Sequence, residues 1–135
     1  MFEFESIKTL HLETSSVCNA ACPMCSREVD INFNKDTDPG SLSLDKVKQL
    51  FDEPFIQNLE YMFMCGSYGD PAAAPDCIKI FKHFRSINNS INFGMHSNGG
   101  LRNKEWWSEL GSVLSNPFDA CYFGIDGLSD TNHIH

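Results

Sequence analysis

No uninterrupted hydrophobic run in this chain approaches the ~20 residues that a membrane span requires. The amino terminus, MFEFESIK, lacks the basic-then-apolar layout of a secretion signal, so a cytoplasmic protein with no membrane partner is expected. Basic charge is also scarce: Lys and Arg number 10 against 18 Asp and Glu, for a formal charge of −8. A field of that sign repels nucleic acid and anionic lipid alike, which excludes both as partners. Internal repeats and low-complexity tracts are missing too. What is present is ordinary globular material. A chain of 135 residues, 41% of them hydrophobic, makes one domain with enough apolar side chains for a core.

Cysteine is plentiful, but a second cysteine pair is lacking. Of six cysteines, Cys18, Cys22 and Cys25 crowd into VCNAACPMCSR (17–27), while Cys65, Cys77 and Cys121 sit singly beside apolar residues. An isolated free cysteine behaves as a small buried hydrophobe, so the single ones are expected in the core. Secreted disulfide scaffolds are usually shorter and carry a signal peptide, so a disulfide framework is not expected. Structural zinc wants four closed ligands, usually as two separated pairs; a fourth would have to come from His11, Cys65 or a distant histidine. Electron carriers of the ferredoxin kind supply four cysteines per cluster. A cubane held by three cysteines keeps one iron open, and an open metal position separates a chemical site from a structural one. A zinc-stabilised structural domain and a non-catalytic iron–sulfur protein, for electron transfer or redox sensing, stand as alternatives.

Hydrophobic periodicity alternates between strands and helices. IKTLHLE (7–13), LEYMFMC (59–65), INFGMH (91–96) and ACYFGID (120–126) have the pattern of strands. SLDKVKQLFDEPF (43–55) predicts one helix capped by Ser43, with Leu44, Val47, Leu50 and Phe51 on one face. PDCIKIFKHFRSI (75–87) predicts a second, with Pro75 near its first turn and Cys77, Ile80, Phe81 and Phe84 inward. NKEWWSELGSVL (103–114) predicts a third, in which at most one of Trp106 and Trp107 faces the core. The phenylalanines are read as core, and His11 as a packed or inward-facing side chain rather than a ligand. Units of ~30 residues that alternate strand and helix build parallel sheets, whose functional loops lie beyond the carboxyl ends of the strands. Every unusual stretch falls there: the cysteine loop, GSYGDP (66–71), SNGG (97–100) and DGLSD (126–130).

A C-x-x-x-C-x-x-C loop after the first strand of such a chain resembles the signature of the radical S-adenosylmethionine (radical SAM) superfamily. The resemblance implies that Cys18, Cys22 and Cys25 ligate a [4Fe-4S] cluster. It further implies that S-adenosylmethionine closes the fourth iron and is reductively cleaved to a 5'-deoxyadenosyl radical, which abstracts hydrogen from a substrate. GSYGDP is similar to that family's Gly-Gly-Glu-Pro segment: Gly69, Asp70 and Pro71 match, with Tyr68 in the first glycine's place and Asp shortening the acidic side chain. HSNGG is similar to its Thr-Asn-Gly, which implies cofactor hydrogen bonds from Ser97 and Asn98. FGIDG resembles Ser-Ile-Asp-Gly, which makes Asp126 a ribose or substrate contact. Met24 stands where an aromatic side chain often packs on the adenine.

The resemblance runs from Thr9 to Thr131 and implies a partial TIM-type (β/α) barrel of parallel strands. Six β/α units need on the order of 180 to 200 residues, so about four of six are expected here. Residues 1–135 are accordingly expected to be the truncated N-terminal portion of a radical SAM core, inactive alone, with an unpaired edge at the fourth strand. The implied partners are an external low-potential electron donor and a peptide or small-molecule substrate.

Overall fold

A computed structural model describes residues 3–29 and 40–125. The order of its elements is strand and helix in turn. β1 (Thr9–Leu12), α1 (Ser26–Val29), α2 (Leu44–Leu50), α3 (Glu53–Asn58) and β2 (Tyr61–Met64) come first. α4 (Cys77–Ile87), β3 (Asn92–Ser97), α5 (Lys104–Val113) and β4 (Ala120–Phe123) follow. The four strands form one sheet in the order β1-β2-β3-β4, every pair parallel. Sequential order means that each crossover moves the chain one strand onward in the same direction, which is how a barrel is wound rather than an open doubly wound sheet.

Burial alternates along the strands and shows which face the helices cover. Met62, Met64, Phe93 and Met95 are fully buried, packed with Ile56, Ile80, Phe81, Phe84 and Leu110. Their strand neighbours Tyr61, Phe63, His96 and Tyr122 point to the other, accessible face. The inward set expected for 75–87 is borne out: Cys77, Ile80, Phe81 and Phe84 are all buried. Burying a side chain of this size stabilises by about 1.5–3 kcal/mol, so this face carries most of the fold's free energy. Asn88 is the polar joint in it. Its Nδ2 donates to the carbonyls of Ile56 (3.0 Å) and Leu59 (2.8 Å), and its Oδ1 accepts from Ile91 N (3.1 Å).

The sequence pattern misplaces four details. The single helix expected over 43–55 is two. Asp52 is extended, caps α3 by accepting from Phe55 N (2.9 Å), and puts Pro54 in the first turn of the new helix. Proline tolerates that position because its missing N–H needs no partner there. As a result Leu50, at the end of α2, is 54% exposed rather than inward. Helix α4 starts at Cys77, so Pro75 precedes its N-cap, Asp76. Trp106 and Trp107 both pack against the core, with rings 4.8 Å apart and nearly perpendicular. Nor are all phenylalanines core: Phe118 is 78% exposed.

Candidate functional site

The segment after β1 is pinched at its base. Ser15 and Ser41 form an isolated antiparallel bridge, Leu42 N donates to Thr14 O (2.8 Å), and Ser16 N donates to Gly40 O (3.0 Å). Between these ends lies the cysteine loop, which further bonds turn upon itself. Cys25 N donates to Cys22 O (3.0 Å), and an Arg27 guanidinium nitrogen donates to Ala20 O (2.7 Å). Cys18, Cys22 and Cys25 are free and half-buried, and all three line one cavity of about 490 Å³.

The ends of the other strands complete its wall with Cys65, Gly66, Gly69, Asp70, His96, Ser97, Asn98, Tyr122, Phe123 and Gly124. Parallel strands bring their carboxyl ends to one edge, so residues about 80 positions apart meet there. Close approach decides the packing: a Cβ on Gly69 would run into the Ser15 carbonyl, and one on Gly66 into the Gly69 carbonyl. On the far wall a Cβ at Gly124 would meet nothing.

Asp70 is the hub. Its side chain caps the short 3-10 turn Pro71–Ala73 by accepting from Ala72 N (2.8 Å). It also accepts from Ser97 Oγ (3.0 and 2.9 Å) and from Asn98 N (2.8 Å). The residue is 3% exposed, and these bonds satisfy a carboxylate whose burial would otherwise be costly. Asn98 in turn donates from Nδ2 to Cys18 Sγ (3.4 Å) and Asn19 Oδ1 (3.0 Å). Arg102 braces the same turn from behind, Nε to Ala72 O (2.6 Å) and a terminal nitrogen to Ala74 O (3.2 Å). It does so from a left-handed backbone at φ 70°, a strained conformation for a residue with a Cβ.

Of the expected site residues, Cys18, Cys22, Cys25, Gly69, Asp70, Ser97 and Asn98 are brought to one cavity. Met24 is 91% exposed and is not part of its lining. Asp126 lies outside the described residues. Cys65 had the look of a core hydrophobe and instead lines the cavity; burial, then the charges of Glu13 and Asp70, push its thiol up. Its position as the first residue past a strand was the available signal. His96 and Tyr122, which carry no motif in the sequence, line the cavity as well. They stack at 4.8 Å and continue a ring row from His11 and Phe63, stacked at 4.5 Å, across the uncovered face of the sheet. His11 Nε2 donates to Cys65 O (2.9 Å), which commits that nitrogen. Among the described residues no three His, Cys, Asp or Glu side chains converge closely enough to hold a single metal ion, and no helix is long and apolar enough to cross a membrane.

A singly wound parallel sheet whose strand-end loops close on one thiol-lined cavity is a partial TIM-type architecture with its site at the carboxyl edge. The chain belongs to the radical SAM superfamily, whose family model matches residues 12–135. Among solved structures, the chain resembles BtrN, determined in complex with AdoMet and 2-DOIA, with a TM-score of 0.61 at 14% identity. The match covers 78% of this chain and 42% of BtrN, so the chain spans less than half the length of that protein. No curated protein matches the chain.

Proposed function

We propose that Cys18, Cys22 and Cys25 ligate a [4Fe-4S] cluster, and that the adjoining cavity takes S-adenosylmethionine for radical chemistry on an organic substrate. One observation carries this reading: the three thiols share a cavity with the loops that follow β2, β3 and β4. The donor set suits the cluster. A single ion needs ligands that converge on one point, which no three described side chains do, whereas a cubane takes each thiolate on a different iron. N–H groups from Ala20 and Asn98 face Cys18 Sγ, each at 3.4 Å.

When bound, cluster and cofactor supply one-electron cleavage of a sulfonium and a carbon radical that abstracts hydrogen. The chain's own residues bind and orient. Gly124, where a Cβ would meet nothing, leaves its main chain open to close approach by the cofactor's polar groups, whereas Gly66 and Gly69 let the protein's own loops pack together beside it. Asp70 and Ser97 are spent on one another, and Ser97 Oγ also accepts from Gly99 N (3.0 Å). Their part is therefore to fix the two loops, not to reach into the cavity. The substrate, a peptide or small molecule, approaches from the open sheet face, where His96 and Tyr122 line the cavity's edge. An external low-potential donor supplies the electron.

The test is anaerobic reconstitution with iron and sulfide. Expected are thiolate-to-iron absorbance, an electron paramagnetic resonance signal that changes when S-adenosylmethionine is added, and release of 5'-deoxyadenosine on reduction. Zinc in place of iron, or a cluster signal indifferent to S-adenosylmethionine, overturns the reading.

A further inference from the structure

The orientation of the Asn98 amide is not arbitrary. Gly100 N donates to Asn98 Oδ1 at 2.7 Å, and a backbone N–H can only donate, so the oxygen must face Gly100. The NH2 end is thereby turned toward Cys18 and Asn19, with one hydrogen for each acceptor, Cys18 Sγ at 3.4 Å and Asn19 Oδ1 at 3.0 Å. The main chain of the same residue is anchored by Asp70, which accepts from Asn98 N at 2.8 Å. A buried carboxylate thus holds a loop residue that points its amide at the sulfur of a residue 80 positions earlier.

We propose that Asn98 sets the reduction potential of the cluster by hydrogen-bonding the Cys18 sulfur, with Asp70 as its positioning residue. The proposal rests on the cluster reading above. Reduction adds negative charge that spreads onto the ligand sulfurs, and a donor aimed at one of them stabilises the reduced form. In a half-buried cavity such a bond is electrostatically stronger than in water. The sequence resemblance implies a cofactor contact for Asn98; its amide nitrogen donates to Cys18 Sγ.

The experiment is a redox titration of the reconstituted 135-residue chain, without S-adenosylmethionine, followed by electron paramagnetic resonance. Asn98→Ala is expected to raise the oxidised-to-reduced ratio at fixed poise roughly tenfold, a fall of about 59 mV for a one-electron couple. Asn98→Asp keeps the acceptor for Gly100 but replaces the donor with a charge, and is expected to shift further in the same direction. Asp70→Asn removes a negative charge, which by itself raises the potential, so the mark of action through Asn98 is that its shift differs between the wild-type and Asn98→Ala backgrounds. If the wild-type chain assembles no iron–sulfur cluster, the reading of the site fails, and the tuning role with it. If the cluster forms and the potential is the same in both Asn98 variants, the tuning role alone fails. Failure of both variants to assemble a cluster also overturns it, because a group that only tunes is dispensable for assembly. An equal shift from Asp70→Asn in the wild-type and Asn98→Ala backgrounds removes Asp70 from the proposal.

Discussion

Arg85 and Asp119 meet at 2.5 Å beneath the edge of the sheet, with the Asp119 side chain 1% exposed. The same carboxylate accepts from Phe93 N (2.7 Å) and Asn116 N (2.9 Å), while the guanidinium lies 4.2 Å over the Phe93 ring and donates to the Ile91 carbonyl. One buried pair therefore ties α4, the start of β3 and the turn entering β4. Removing Asp119 leaves a largely buried guanidinium without its counter-charge, held only by carbonyl oxygens and the Phe93 ring. Asp119→Ala is expected to destabilise the fold by about 3–5 kcal/mol in denaturant titration. A loss below 1 kcal/mol would show that water reaches the pair.

Four cysteines line the cavity, but the site reading uses three. Single Ala replacements at Cys18, Cys22 or Cys25 are expected to abolish the reconstituted cluster's absorbance. Cys65→Ala is expected to keep the wild-type iron content and the response to S-adenosylmethionine. Iron lost from the Cys65 variant alone would mean a four-thiolate, closed cluster and no place for the cofactor.

Two glycines give opposite signs. The added methyl of Gly69→Ala meets the Ser15 backbone, which cannot yield as a side chain end could. That change is expected to cost about 1–3 kcal/mol and to lower cluster occupancy by shifting the cysteine loop. Gly111, inside α5, has nothing within 4 Å of a Cβ. Gly111→Ala is expected to stabilise by about 0.4–1 kcal/mol, through helix propensity and a less disordered unfolded chain, and to leave iron content unchanged. Thermal melts of both variants, alongside iron analysis, decide the point.

Alkaline pH is expected to destabilise the protein through its buried thiols. Burial pushes the Cys77 thiol from 9.0 up to about 12, and Cys121, by burial and then Asp70, up to about 11. Unfolded, each ionises at its ordinary value, so the unfolded state loses its proton first as pH rises. The stability they contribute is whole below pH 9 and is lost as pH climbs toward the folded values, at up to ~1.4 kcal/mol per pH unit for Cys77. Cys77→Ala should therefore start less stable, having lost packing in the core, yet fall less between pH 9 and 11 in denaturant titrations. Parallel curves for the two proteins over that range would sink the prediction.

Much of the site is legible from strand ends alone. Glycine, proline and asparagine cluster where strands stop, and parallel strands stop at one edge, so the sequence alone puts GSYGDP and SNGG beside the cysteine loop. The roles within those loops were less legible. Asp70 matches an acidic position of the family's motif, yet its oxygens are consumed by Ala72, Ser97 and Asn98, a fact that depends on two loops 27 residues apart. Cys65 and Cys77 read alike as lone cysteines among apolar neighbours; one lines the cavity and the other is in the core. Similarly, periodicity ran one helix through Asp52 because Leu50 and Phe51 continue its apolar stripe, while the cap and Pro54 restart the chain.

The sequence by itself determined the alternation of strand and helix, the parallel sheet and the three-thiol loop, because periodicity and motif spacing are local properties of the chain. Tertiary structure alone decided which polar groups are still free to act. Hydrogen-bond capacity is finite, and whether Asp70, Ser97 or Asn98 spends it on the protein or on a guest is settled only when distant loops are brought together.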